Sequence, residues 1–275
     1  MLVDLHSHST CSDGLLKPAA LVERAMQRGV DMLALTDHDE LSGLPEAREA
    51  AAHWGLRLIN GVEISVLWED TTLHIVGLCV DPESPALIEG LAGIRAGREL
   101  RARRMAESLA LAGIPGSLEG ARRHANNPEL VSRAHFARYL VEAGHASDTN
   151  AVFRKYLIPG KPGFVGHQWA TLTDAVHWIN GSGGVAVIAH PGRYPLNQQQ
   201  CERLLSDFAA MGGAAVEVVT GAHTPAEFVI WARYAQRFGL QASAGSDFHG
   251  PGEGYRDLGN VPVLPAGCKP VWANF

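Results

Sequence analysis

The chain has 275 residues, 46% of them apolar and 19% charged, and its 23 Lys plus Arg against 29 Asp plus Glu leave a formal net charge of −6. This is the composition of an ordinary globular enzyme with ample core, and the acidic balance argues against long duplex nucleic acid as a partner, because that mode needs a basic surface to displace counterions. No apolar run approaches the roughly 20 residues of a membrane span, no secretory leader is recognisable, and Cys11, Cys79, Cys201 and Cys268 form neither a Cys-x-x-Cys pair nor a disulfide framework, so a cytoplasmic protein with no membrane partner is expected.

The first stretch, Val3 to His8, passes from apolar residues into His6 and His8 and reads as a strand whose period of two points both imidazoles to one side. An isolated His-x-His is more often a surface pair, but two neutral imidazoles converging on one side can hold a metal ion. Asp13 follows in a Ser-Asp-Gly turn, within reach of the same ion or a neighbouring one. Pro18 then opens an amphipathic helix to about Gln27, closed by Gly29. Val30 to Thr36 is a buried strand that ends in Thr36-Asp37-His38-Asp39. A helix over Ser42 to His53 leads to a third strand, Leu56 to Asn60, which runs into Gly61-Val62-Glu63. The rhythm is βαβαβ, with each polar cluster at the C-terminal end of a strand, where barrel folds build their active sites.

Glu63 to Trp68 and Thr71 to Val80 read as a hairpin around Glu69-Asp70. A two-residue loop sets Ser65 opposite His74 and places Glu63 and His74 on one face. From about 82 to 169 a helical, arginine-rich insert interrupts the βα rhythm. Arg95, Arg98, Arg101, Arg103 and Arg104 sit among glutamates and alanines on a long helix, which is first a solvated face and second a basic rim for a nucleotide. Ser132 caps a further helix carrying Arg133 and His135, a good phosphate seat as well as an ordinary capped helix. Lys161 lies in the constrained loop Pro159 to Gly163.

The βα rhythm then resumes. Thr173 is expected to cap a helix to about Ile179, and Val185 to Ala189 is an apolar strand ending in His190-Pro191-Gly192-Arg193. A helix over Leu196 to Met211, a strand over Ala214 to Val219 containing Glu217, a helix over Pro225 to Phe238 and a strand over Leu240 to Ala244 complete it, the last ending in Asp247-Phe248-His249. The strand ends therefore supply His6, His8, Asp13, His38, Glu63, His74, His190, Asp247 and His249. Imidazole with carboxylate and no thiolate suits Mn²⁺, Fe²⁺ or Zn²⁺ in water-bearing catalytic sites. Nine ligands exceed the needs of one ion, so two or three ions are implied, with Glu63 or another carboxylate bridging. Three carboxylates against three divalent ions would leave a net positive site suited to a phosphate ester, and closely spaced ions make hydroxide available at neutral pH. The chemistry this points to is hydrolysis.

His6-Ser7-His8, Thr36-Asp37-His38-Asp39, His190-Pro191 and Asp247-Phe248-His249 resemble, in order, the four motifs of the PHP (polymerase and histidinol phosphatase) family. The resemblance implies an α/β fold, a distorted (βα)7 barrel over 1–81 and 170–275 with the metal centre at the C-terminal ends of its strands, and a small helical subdomain over 82–169 covering the active site. It further implies that His6, His8, Glu63 and Asp247 hold one metal, Glu63, His74 and His190 a second, and Asp13, His38 and His249 a third, with Mn²⁺ the first choice. Asp13 stands where several trinuclear members have histidine. His6, His8, Glu63, Asp247 and His249 become the catalytic set.

Within the family, the insert, the Val131 to His135 helix start and the ending Leu264 to Trp272 look like the subgroup that removes the 3'-phosphate from 3',5'-bisphosphonucleotides and trims short 5'-phosphorylated RNA. Ser132, Arg133, His135, Lys161 and Arg193 are then expected substrate contacts. A histidinol-phosphate phosphatase and a non-catalytic PHP module are the alternatives; the latter predicts missing ligands, and all nine are present.

Overall fold

The computed structural model describes every residue except 128, 129, 167, 168 and 255, four of which fall within the 82–169 insert. Two compact units result, residues 1–91 with 169–275, and residues 92–168.

The first unit is an α/β barrel of seven strands: β1 (Val3–Asp4), β2 (Met32–Leu35), β3 (Arg57–Trp68), β4 (Thr71–Leu78), β6 (Val185–Ile188), β7 (Ala215–Thr220) and β8 (Gln241–Gly245). A short β5 (Ala170–Thr171) pairs beside β3 off this path. All neighbours along the path are parallel except β3–β4 and β4–β6, because the tight turn at Glu69-Asp70 sends β4 back against the barrel direction. The barrel nearly closes between its first and last strands, where Leu5 N–H donates to the Ala244 carbonyl at 3.0 Å and Ser7 bridges Phe248.

Period two decides what lies inside. On β2, Met32 and Ala34 join Val3, Leu5, Ile59, Val76, Val187 and Ala215 in one buried cluster, capped by Val271 near the end of the chain. The alternate residues Leu33 and Leu35 face outward into Leu21, Val22 and Ala25 of α1 (Pro18–Gln27) and Leu44, Ala47 and Ala51 of α2 (Leu44–Trp54). With both faces covered, the strand is apolar throughout, as parallel strands are.

Several expected elements shift. β1 has two residues, so His6 and His8 lie beyond the strand and are fixed by loop contacts. The separate strands expected at 56–60 and 63–68 are one continuous β3, since pairing with β2 hands over directly to pairing with β4. Thr171, not Thr173, caps α7 (Leu172–Gly181), because Asp174 lies three residues on and closes a reciprocal capping box. The same logic starts α8 (Gln198–Ala210) at Asn197, with Gln200 as its partner. α9 (Pro225–Arg237) is capped by Thr224 with Glu227. All four cysteines are free thiols, and among the described residues no helix is long and apolar enough to cross a membrane.

α3 (Pro85–Leu111) enters the second unit, which adds α4 (Ser117–Arg123), α5 (Arg133–Glu142) and α6 (Thr149–Val152), the last running into a π-helical turn over Phe153–Leu157. Its core is Met105, Leu109, Val131, Phe136, Leu140, Val152 and Leu157. Arg98 and Arg101 do not belong to a solvated face: both are buried, and Arg101 Nε donates to the Val165 carbonyl at 2.9 Å. Burial, with Arg133 and Arg98 nearby, pushes the Arg101 guanidinium down to about 9. Arg103 does keep to the surface, paired with Glu99 one turn away.

Candidate metal centre

Each predicted ligand of the barrel unit follows an apolar strand or sits on one. β3 carries Glu63 and β4 carries His74, and the observed register, Ser65 opposite His74 and Trp68 opposite Thr71, is the one a two-residue turn demands. His38 bridges to Glu63 just past β2. His190 follows β6, and Asp247 and His249 follow β8. His8 N–H donates to the Phe248 carbonyl and Asp247 N–H to the His6 carbonyl, so the first and last loops are laced together.

The structure brings all nine residues into one cluster centred on Glu63, which is fully buried. Its Oε1 lies 2.9 Å from His74 Nδ1, 3.0 Å from His190 Nε2 and 3.3 Å from His6 Nε2. Its Oε2 lies 2.9 Å from His38 Nδ1 and 3.4 Å from His8 Nε2. Asp247 Oδ1 is 3.5 Å from His6 Nε2 and 3.4 Å from His8 Nε2. Asp13 Oδ1 is 3.4 Å from His249 Nε2 and 3.8 Å from His38 Nε2. Asp13 thus turns toward His38 and His249 rather than toward His6. Ligand atoms converge in four overlapping groups: His6 with His8 and Glu63; His6 with His190 and Asp247; His38 with Glu63 and His74; and His8 with Asp13, His38 and His249.

So many imidazoles around so few carboxylates are a donor set that suits a divalent cation. Burial pushes the His8 imidazole down to about 3, with His249 adding to it, and burial likewise takes His74 down to about 4. Burial opposes charge on Glu63 as well, yet His74, His38 and His6 hold its carboxyl well below the usual range. His6 Nε2 and both ring nitrogens of His8 are buried and make no well-formed hydrogen bond. Buried polar atoms are nearly always partnered, so ligand nitrogens left this way beside anionic oxygens fit a divalent ion.

A second tier of residues fixes the loops. Asp37 accepts from Ser9 N–H, Ser9 Oγ and Ser12 Oγ at 2.6–2.7 Å, tying down the turn that carries Asp13. Asp39 accepts from Ser65 N–H at 2.8 Å, and Asp4 accepts from Ser246 N–H at 2.8 Å beside Asp247. Tyr194 accepts from His74 N–H and donates to the Ala189 carbonyl. His223 accepts from Gly192 N–H, and Glu217 meets both His6 and His190. Asp39, His190 and Asp247 have φ of 50°, 27° and 55°, a left-handed region that side chains usually avoid and that persists where surrounding contacts over-determine it. The sequence signal for this tier was a carboxylate inside an apolar strand, as at Asp4 and Glu217.

The expected substrate contacts divide between the units. Arg193 Nη1 donates to Asp247 Oδ2 at 2.9 Å while its side chain stays 54% exposed. Within the helical unit, Ser132 caps α5, and His135 Nδ1 accepts from Ser132 N–H at 3.0 Å, which leaves the ring proton on Nε2. Arg133 donates to the Leu157 carbonyl and lies over the Phe153 ring. Lys161 is exposed in the 159–163 turn.

The PHP domain family model matches residues 4–220. A 3',5'-nucleoside bisphosphate phosphatase of Chromobacterium violaceum is 55% identical over 273 residues, covering 99% of this chain and 96% of its own. The 5'-3' exoribonuclease Rnm of Escherichia coli is 47% identical over 274 residues, covering 99% and 93%. Among solved structures, an amidohydrolase from Chromobacterium violaceum with bound sulfate and no metal superposes with a TM-score of 0.96 at 54% identity, covering 99% and 95% of the two chains. A Bifidobacterium adolescentis protein described as a metal-dependent phosphoesterase gives 0.82 at 29% identity, covering 93% and 92%.

Proposed function

The chain belongs to the PHP domain family, and on that basis we propose that it is a phosphoester hydrolase with a multinuclear divalent metal centre, which removes the 3'-phosphate from 3',5'-bisphosphonucleotides and trims short 5'-phosphorylated RNA from its 5' end. The observation that carries this reading is Glu63, one buried carboxylate in contact with five imidazoles. His6, His8, Glu63 and Asp247 would hold one ion, Glu63, His74 and His190 a second, and Asp13, His38 and His249 a third, Mn²⁺ being the ion of first choice. His8 and His38 each lie close enough to two of these sets to tie them into one cluster.

Bound divalent ions supply Lewis acidity toward the phosphoryl oxygens and make hydroxide available at neutral pH. The protein's own part is to place charge. Three carboxylates do not neutralise two or three divalent ions, so the centre attracts a phosphate dianion although the chain as a whole is acidic. Arg193, with one Nη on Asp247 and a side chain 54% exposed, is positioned to take a phosphate oxygen. In the helical unit, the Ser132-capped start of α5 with Arg133 and His135 is the proposed seat of a 5'-phosphate, with Lys161 adding charge.

The deciding measurement is phosphate release by Mn²⁺-loaded protein. Adenosine 3',5'-bisphosphate is expected to exceed AMP and histidinol phosphate in kcat/KM by at least about tenfold, the equivalent of one charge-assisted contact. Equal rates on all three would remove the bisphosphonucleotide assignment, and faster histidinol phosphate would replace it. Short RNA with a 5'-phosphate should likewise be shortened faster than the same RNA with a 5'-hydroxyl.

Metal uptake should depend on pH in a defined direction. Burial opposes charge on His6, but Glu217, Glu63 and Asp247 raise its imidazole well above the ordinary value. In the metal-free protein these carboxylates favour the protonated ring, so an ion that takes Nε2 competes with a proton. Apparent metal affinity should rise with pH through neutrality, and calorimetry in buffers of different ionisation enthalpy should detect proton release. Affinity independent of pH between 6 and 8 would contradict the competition between ion and proton at His6.

A further inference from the structure

Glu217 lies on β7, in the middle of a strand whose every residue is buried, and it touches two proposed metal ligands with its two oxygens. Oε1 is 2.8 Å from His6 Nδ1, and Oε2 accepts from the His190 backbone N–H at 2.6 Å. We propose that Glu217 is the positioning residue of the centre: it fixes the proton of His6 on Nδ1, so that Nε2 faces the cluster as a ligand, and it pins the strained backbone that turns His190 inward. The proposal rests on the metal-centre reading of His6, His190 and their neighbours.

A carboxylate is the one side chain of this length that accepts at both ends. The His190 N–H can only donate, and its residue sits at φ 27°, ψ 56°, a conformation that needs outside support. His6 Nε2 is 3.3 Å from Glu63 and 3.5 Å from Asp247, so whichever proton arrangement Nδ1 is given is felt inside the cluster. His223 supports the same turn two residues on, accepting from Gly192 N–H, but it reaches no histidine ring of the centre through a hydrogen bond in the structure. Glu217 alone among the described residues makes hydrogen bonds to both the His6 ring and the His190 backbone. Carboxylates that orient a metal-binding imidazole in this way also raise its basicity.

Glu217→Gln separates positioning from mere structure, because the amide keeps the shape and loses one acceptor. If its oxygen serves the His190 N–H, its NH₂ meets His6 Nδ1 and drives the ring proton to Nε2, the ligand atom. If its oxygen serves His6, two donors face each other at His190. Either way one ligand is spoiled while the fold persists. Wild-type and E217Q proteins are stripped with chelator, reloaded with Zn²⁺, and compared by metal analysis, chelator competition and thermal melting. E217Q should bind one ion about 10- to 100-fold more weakly, with the metal-free melting temperature nearly unchanged.

Full stoichiometry at wild-type affinity in E217Q would overturn the proposal, as would a lowered metal-free melting temperature with unchanged affinity, which is the signature of a purely structural residue. A second measurement covers an E217Q that does not fold. In Zn²⁺-loaded wild-type protein with ¹⁵N-labelled histidine, the His6 Nδ1 proton should be slowly exchanging and shifted far downfield by its bond to a carboxylate. A rapidly exchanging Nδ1 proton would refute the role of Glu217 directly. Wild-type protein that takes up no metal at all would instead overturn the metal-centre reading, and the proposal with it.

Discussion

Glu63→Gln should abolish phosphate release, with kcat falling by three orders of magnitude or more. The substitution changes no shape and removes one negative charge from the point where His6, His8, His38, His74 and His190 converge. Two consequences follow. The proposed first and second metal sets both contain Glu63, so neither is completed by the variant. An amide also puts an NH₂ group, which cannot ligate a cation, where one carboxylate oxygen faces the imidazole nitrogens. Lewis-acid stabilisation of a phosphoryl transition state amounts to several kcal/mol, and about 4 kcal/mol corresponds to roughly a thousandfold in rate. The check is kcat on adenosine 3',5'-bisphosphate with the metal content of the same sample. A variant with near wild-type kcat would show that Glu63 bridges nothing. Stability should move the other way or little: in the metal-free protein Glu63 is a buried carboxylate whose cost is offset only by its histidines.

The ligands were legible in the sequence for a physical reason. A barrel strand must be apolar to fill its interior, so a polar residue at its end stands out, and His38, His190, Asp247 and His249 each follow such a run. The Glu63–His74 contact was legible because a two-residue turn leaves one register. The supporting tier was less visible. Asp4 and Glu217 look like anomalies in apolar strands until the backbone N–H groups of Ser246 and His190 are seen against them. Nor could period or composition reveal that Arg98 and Arg101 are buried rather than solvated, since a helix mixing Arg, Glu and Ala has no marked apolar face to orient it. β1 is shorter than its alternation suggests, because His6 and His8 continue the period of two while their backbone hydrogen bonds go to the loop after β8.

That seam between the two ends of the barrel is also where a single added methyl should damage the centre directly. At Gly245, the last residue of β8, a Cβ would stand 2.4 Å from His6 Cβ, 2.8 Å from His6 N and 3.1 Å from His6 Cα. These are the backbone and the first side-chain atom of His6, not the far end of a side chain that can swing away. The strands cannot part freely either, because Leu5 N–H to Ala244 and Asp247 N–H to His6 bracket the contact on both sides. Gly245→Ala must therefore push His6 or β8 by about 1 Å, and overpacking of this kind costs roughly 1–3 kcal/mol or more. The displaced residue is the proposed ligand itself, and a shift of that size costs about 10²-fold in rate. The expected result is a lowered melting temperature together with reduced metal content and kcat. Gly93→Ala provides the comparison: it lies in α3 with open space around the added Cβ, so it should gain about 0.5–1 kcal/mol of helix stability and leave the metal content intact. If Gly245→Ala behaved like Gly93→Ala, the barrel seam would be looser than its hydrogen bonds imply, and His6 would not be held by backbone contact.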